Sequence, residues 1–329
     1  MDSLRNTQKK AFLKSYFVDT KYQIQPLVFD ASFRKYDRIV TDQNSLILMD
    51  SPPEHYILAD FTNIANFLRK HGFSAPELFK EDHHKGFLLL EDFGSVSINN
   101  HLAQINSHAE RFKIYQLMID LLCELHNLSP PQYLLPYDHG PLLKELEVYI
   151  EWYLPYKNNQ PLIQNTKDEL NIIWHNILDK LPDLGQHFLY RDFHVDNLML
   201  LPREGIKVIG LLDFQEAKIG SPFYDLVSLL EDARIDVKPD FAMKCFDYYL
   251  QKNLYMNRKM DREAALLTFN ILAAQRNSRV LGVFVRKHKR DNQSNFLNYI
   301  PRVENYLKNN LQYPIFKDLR NWLENRNLL

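Results

Sequence analysis

The chain has 329 residues, enough for two units each with a core, and its 45% apolar and 25% charged content excludes disordered and fibrous classes. A formal net charge of −1 argues against a surface built to coat nucleic acid or an anionic membrane, and no apolar run approaches the roughly 20 residues of a membrane helix. Cys123 and Cys245 lie in apolar helical stretches without metal or redox spacing, as expected of buried thiols in a reducing, cytoplasmic compartment.

Residues up to about 17 have the spacing of an amphipathic helix and carry too much charge for a signal segment. Strands are predicted over 22–29, 33–40 and 45–49, the last stopped by Pro52 and Pro53. A helix over 56–71 closes at Gly72, and two further strands follow over 77–80 and 87–90. The order β-β-β-α-β-β predicts an antiparallel sheet with one inserted helix. Helices then dominate, over 111–128, 142–153, 167–181 and from 223 onward, around a β-rich insert with strands over 187–190, 198–201 and 207–212. The expectation is an α+β protein with a small sheet-bearing domain over 1–93, a larger mainly helical domain over 94–329 and a hinge near 91–94.

The insert carries the chemistry. It reads HFLYRDFHVDNLMLLPREGIKVIGLLDFQEA, with Asp192 in a loop after a strand, Asn197 five positions on, and Asp213 at the end of another strand. Singly, each Asp also reads as a turn residue. Together they match what phosphoryl transfer needs: one carboxylate to orient an attacking hydroxyl, and an amide oxygen with a second carboxylate to hold Mg²⁺ against a triphosphate.

These residues resemble the catalytic and metal-binding loops of the aminoglycoside phosphotransferase and choline kinase superfamily, relatives of protein kinases. The resemblance implies a two-lobed, protein-kinase-like fold using ATP and Mg²⁺. It implies Asp192 as catalytic base, Asn197 and Asp213 as metal ligands, Glu91, Asp92 and Phe93 at the adenine, and Asp225 as a brace for the catalytic loop. Tyr190 stands where protein kinases carry His, and the short span from Asp213 to Asp225 leaves no room for a peptide-docking segment. The acceptor is therefore expected to be a small molecule. The blocks DASFRKYDRIV, GFLLLEDFG, RDFHVDNLM, LLDFQEAKIGSPFYDLVSLLEDAR and AAQRNSRVLGVFVRKHKRD look like one subgroup, the bacterial N-acetylmuramate/N-acetylglucosamine anomeric kinases of peptidoglycan recycling. That resemblance implies an α-1-phosphate product.

Two features depart from protein kinases. The expected phosphate-covering tip, Asp30-Ala31-Ser32, has no glycine, and strand 45–50 has no lysine. Ser32 and the cations Arg34, Lys35 or Arg38 are the candidates to meet the phosphates. For the acceptor, the run from Arg276 to Arg302 holds seven cations against Asp291, so Arg276 and Arg279 are candidates for a substrate anion, with a solvated helix face as the alternative. Glu151, Trp152 and Tyr156 are candidates for sugar stacking and hydroxyl recognition, with core packing as the alternative. A kinase of another small alcohol, such as an aminoglycoside, choline or other hexose, remains open, as does an inactive kinase fold that only binds nucleotide.

Overall fold

The computed structural model describes residues 2–27, 34–54, 57–256 and 258–329, and the chain divides into two compact units. The first takes in the chain to residue 98 together with 197–216; the second comprises 99–196 and 217–329. Segment 197–216 lies, in chain order, inside the predicted helical domain, yet it packs with the first unit.

In the first unit, helix α1 (Asp2–Lys14) is followed by strands β1 (Gln23–Leu27), β2 (Lys35–Val40) and β3 (Ser45–Asp50), helix α2 (Leu58–Lys70), and strands β4 (Leu78–Asp82) and β5 (Phe87–Glu91). The sheet order is β1-β2-β3-β5-β4, antiparallel throughout. Alternation puts Ile39, Leu46, Leu48, Phe87 and Leu89 in one core, where they meet Phe12, Leu13 and Phe17. The same alternation buries Asp37 and Asp50, and α1 answers each carboxylate. Lys9 Nζ lies 2.7 Å from Asp37 Oδ2, and Arg5 Nε donates to Asp50 Oδ1 at 2.8 Å. On α2, Leu58, Phe61, Ile64, Ala65 and Leu68 form a buried stripe at helical spacing. Gly72 follows at φ +86°, the left-handed conformation that lets the chain leave a helix at little cost.

Segment 197–216 forms a hairpin of Leu198–Leu200 with Ile209–Leu211. The strand predicted over 207–212 is shorter because Gly205–Val208 is a 3₁₀ turn.

The second unit is helical, with a small sheet in which Lys218–Gly220 pairs with Pro136–Tyr137 and with His187–Leu189. Its longest element is the helix Arg262–Asp291, started by the Asp261 side chain accepting from the Ala264 N–H at 2.8 Å. The helix predicted over 142–153 is broken into an α-helix, His139–Glu145, and a π-helical segment, Tyr149–Tyr153. A Cβ on Gly282 of the long helix would meet the Val148 carbonyl oxygen at 2.3 Å, so the two backbones pass at a distance that only glycine permits.

Beyond helix Phe223–Leu230, Glu231 accepts hydrogen bonds from the Asn277 and Asn310 amides. Burial pushes its carboxyl up to about 7, against the smaller opposing effects of those amides and of Arg276. The folded chain therefore holds a proton that the unfolded chain releases, and stability falls as pH rises from the ordinary Glu range through about 7. Urea midpoints at pH 5 and pH 8 are expected to differ less in Glu231→Gln than in the wild type, and an equal difference would remove Glu231 from this role.

Candidate active site

The loop bearing Asp192 leaves strand His187–Leu189 and enters the 3₁₀ turn Val195–Asn197. It carries a backbone conformation that needs holding, because Arg191 has φ +79°, strained for a side chain of its size. Helix Phe223–Leu230 and the residues just beyond it hold this loop. Asp225 is fully buried, its Oδ2 accepting from the Tyr190 N–H at 2.7 Å and its Oδ1 from the Arg191 N–H at 2.6 Å. Ser228 Oγ donates to the Arg191 carbonyl at 3.0 Å, and Asp232 Oδ2 accepts from the Val195 N–H at 3.0 Å. His126 Nε2 lies 3.2 Å from Asp225 Oδ2, with its Nδ1 3.0 Å from the Tyr249 hydroxyl. Asp225 was singled out in the sequence. Ser228 and Asp232 were not, although polar residues at 225 and 228 within an apolar helix mark one shared face, with Asp232 just past its end.

Around Asp192 the second unit gathers positive charge. Burial alone would raise its carboxyl, but the guanidinium groups of Arg279, Arg191, Arg276 and Arg234 outweigh that and hold it below the usual carboxylate range. Asp192 is thus ionised at neutral pH. Glu145 organises two of these cations: Arg279 Nε lies 2.6 Å from its Oε2, and Arg191 pairs with its Oε1. The Tyr137 hydroxyl also donates to Glu145, and the Arg191 guanidinium lies 5.2 Å from the Tyr137 ring centre.

The structure divides the basic run 276–302. Arg276 and Arg279 point inward, with Arg276 only 2% exposed, whereas Arg290 is exposed and pairs with Asp291. The other substrate candidates are more peripheral. Glu151 is exposed, with both oxygens on Lys167 Nζ at 2.7 and 2.9 Å. Tyr156 is exposed and has Lys289 Nζ 5.7 Å from its ring centre, while Trp152 is half-buried.

In the first unit, Asn197 precedes and Leu212-Asp213 follows the hairpin in which Leu198 faces Leu211, so Asn197 and Asp213 leave from the same end. The Leu212 N–H donates to the Asn197 carbonyl at 3.0 Å. Asp213 has φ +61°, its Oδ1 accepts from Gln215 Nε2 at 2.6 Å, and the next residue, Phe214, packs on Phe61 of α2 with ring centres 4.8 Å apart. An amide oxygen and a carboxylate so placed fit a hard cation that completes its shell with water and phosphate oxygens.

Of the residues expected at the nucleotide, Ser32 lies outside the described residues. Arg34 Nε is 3.3 Å from Ser51 Oγ, and Lys35 is exposed opposite Asp50. Arg38 is committed elsewhere, to both oxygens of Asp92 at 2.6 and 3.0 Å and to the Gly94 carbonyl. Burial would raise the Asp92 carboxyl, but hydrogen bonds from Arg38, Ser45 and the Gly94 N–H hold it below the ordinary range. Glu91 pairs with Arg203 and Arg69. Phe93 lies on the hairpin against Met199, Leu201 and Leu212, and a Cβ on Gly210 would meet its ring at 2.8 Å. The carboxylates of 91 and 92 therefore fix the turn, and the Phe93 ring is buried against the hairpin.

Residues 23–266 match the model of the phosphotransferase enzyme family. A curated relative, the N-acetylmuramate/N-acetylglucosamine kinase of Caulobacter vibrioides, is 30% identical over 98% of this chain and 97% of its own. Among solved structures, choline kinase LicA from Streptococcus pneumoniae superposes with TM-score 0.63 at 14% identity, covering 92% of this chain and 99% of that one. ADP-bound aminoglycoside phosphotransferase APH(2'')-Ib does so with TM-score 0.59 at 12% identity, covering 96% and 99%. The fold is the kinase-like fold of those phosphotransferases, as expected from the sequence.

Because each carboxyl oxygen of Asp225 accepts a backbone N–H bond, Asp225→Asn places an amide donor against a donor. It is expected to cost about 2–3 kcal/mol, against about 1 kcal/mol for Ser228→Ala, in urea unfolding. Equal costs would show that Asp225 does not carry the loop.

Proposed function

We propose, for a chain that belongs to the phosphotransferase enzyme family, that it transfers the γ-phosphate of ATP to the anomeric hydroxyl of N-acetylmuramate or N-acetylglucosamine. The observation that carries this reading is the 30% identity, along nearly the whole of both chains, with a kinase named for those two sugars. The charge around Asp192 supports it. A polycationic acceptor such as an aminoglycoside would meet like charge from Arg191, Arg234, Arg276 and Arg279, whereas the carboxylate of N-acetylmuramate would not.

In this reading Asp192 orients the anomeric hydroxyl by accepting its hydrogen bond. The hydroxyl oxygen forms a bond to the γ-phosphorus, the bond to the bridging oxygen breaks, ADP leaves, and the hydroxyl proton passes to Asp192 and on to solvent. The anomeric hydroxyl is more acidic than an ordinary alcohol, so a carboxylate held at low basicity suffices and positioning dominates. Asn197 and Asp213 would hold a Mg²⁺ ion, which would supply charge neutralisation for the phosphates. Phe93 and the main chain of 91–94 receive the adenine, and Arg34, Lys35 and Ser32 are the groups proposed for the phosphates. Asp225 acts through the loop it holds. Arg276 and Arg279 are proposed to set the field for the acceptor, and Glu151, Trp152 and Tyr156 to contribute at its margin. The enzyme is placed in the cytoplasm, where ATP is available. Supporting that, Cys123 and Cys245 are both buried thiols, and among the described residues no helix is long and apolar enough to cross a membrane.

The test is ADP release with Mg²⁺-ATP against N-acetylmuramate, N-acetylglucosamine, glucose, choline and kanamycin, with ³¹P–¹H coupling locating the phosphate on the product. Turnover is expected with the two N-acetylated sugars and phosphorus coupled to the anomeric proton. Asp192→Asn is expected to lower kcat by about 10²–10⁴-fold with ATP affinity retained. Turnover on choline or kanamycin alone would sink the acceptor assignment, and near-normal kcat in Asp192→Asn would remove that residue from its role.

A further inference from the structure

The second unit holds a group of potential ligands remote in sequence from the catalytic loop. His139 begins the helix His139–Glu145, while His175 and Asp179 end the helix Gln164–Leu178. We infer that His139, His175 and Asp179 form a binding site for a divalent transition-metal ion of the Zn²⁺ class, linking these two helices.

Three observations carry the inference. The ligand atoms all lie within 4.8 Å of one another, and the two histidines approach opposite oxygens of one carboxylate, His139 Nε2 at 3.2 Å from Asp179 Oδ1 and His175 Nε2 at 3.5 Å from Asp179 Oδ2. Both are close to the roughly 3.3–3.4 Å that bonds of about 2.0–2.1 Å put between ligand atoms in a tetrahedron. Secondly, His139 Nε2 is buried yet makes no hydrogen bond, despite its closeness to the carboxylate.

Thirdly, the local electrostatics call for a cation. Asp179 is the C-cap of its helix, where the backbone dipole is already negative. The cavity beside it, of about 320 Å³, also has Asp138 and Asp183 in its wall and no lysine or arginine. Two imidazoles with one carboxylate select Zn²⁺ or its neighbours over Mg²⁺ and Ca²⁺, which prefer all-oxygen shells. His175, which is 55% exposed, has the freedom to close the remaining gap, and water completes the shell on the open face.

The test is calorimetric titration of the full chain with Zn²⁺ in buffer free of Mg²⁺ and nucleotide, with Co²⁺ absorbance as a second probe of the ligand field. The wild type is expected to bind one ion that His175→Ala and His139→Ala each weaken by at least the ~10–100-fold typical of losing even an outer-sphere partner. Asp213→Ala separates this site from the one proposed for Mg²⁺ and is expected to leave the Zn²⁺ isotherm unchanged. His175 is exposed, so its truncation should leave the fold intact, as circular dichroism would verify. Absence of saturable binding, binding indifferent to both histidine variants, or binding lost in Asp213→Ala would each overturn the inference.

Discussion

The buried carboxylate of Asp225 is the constraint on which the loop bearing Asp192 depends. A lone anion in an apolar helix would cost several kcal/mol. Here two main-chain N–H groups and the His126 ring offset that cost, and the N–H groups belong to the residues just before Asp192. The same bonds hold Arg191 in a left-handed conformation that an arginine does not adopt unaided. Ser228 takes the carbonyl of that residue and Asp232 the N–H of Val195, so the loop is gripped on both sides of Asp192 from one helix and its exit. The hydrogen-bonding capacity of three side chains is converted into a fixed direction for a fourth.

Loop geometry and loop charge are coupled through Arg191. Its backbone is clamped by Asp225 and Ser228, while its guanidinium shares Glu145 with Arg279 of the long helix. Glu145 thus keeps two like charges close, and those charges hold Asp192 ionised. A carboxylate surrounded by guanidinium groups is a weak base and a strong orienting group. In the proposed reading, that combination suits an acceptor hydroxyl acidic enough to need little proton abstraction, such as that of a hemiacetal.

Local information was readable in the sequence, and information carried by long-range contacts was not. The spacing of Asp192, Asn197 and Asp213 is local, and so is the apolar run of β3 that becomes the centre of the sheet. Helix α2 was predicted over 56–71 and spans Leu58–Lys70, with Gly72 at its exit as expected. By contrast, nothing in residues 142–153 announces the break before Tyr149. The apolar spacing continues through it, and the break coincides with the close pass of Gly282 from the far end of the unit. Strands of two and three residues, Pro136–Tyr137 and Lys218–Gly220, are too short to show a period. The basic run from Arg276 gave charge but not direction, because the pairing of Arg279 with Glu145 depends on a fold the run does not encode.

Strand β3 carries no lysine, and the charge around it is arranged accordingly. In β3 the position that ends the strand is Asp50, buried on the face covered by α1, and Arg5 is its partner. The sheet interior is therefore neutralised by a helix, with Lys9 and Asp37 repeating the device one strand away. Of the cations on β2, Arg38 is bound to Asp92 and shapes the 92–94 turn instead of meeting a phosphate. Lys35, at the head of β2, is exposed opposite Asp50, and Arg34, just before the strand, has its Nε 3.3 Å from Ser51 Oγ. Two surface-side cations screen charge without fixing geometry. Asn197 and Asp213, by contrast, are fixed in place by their shared hairpin end and by the packing of Phe214 on Phe61.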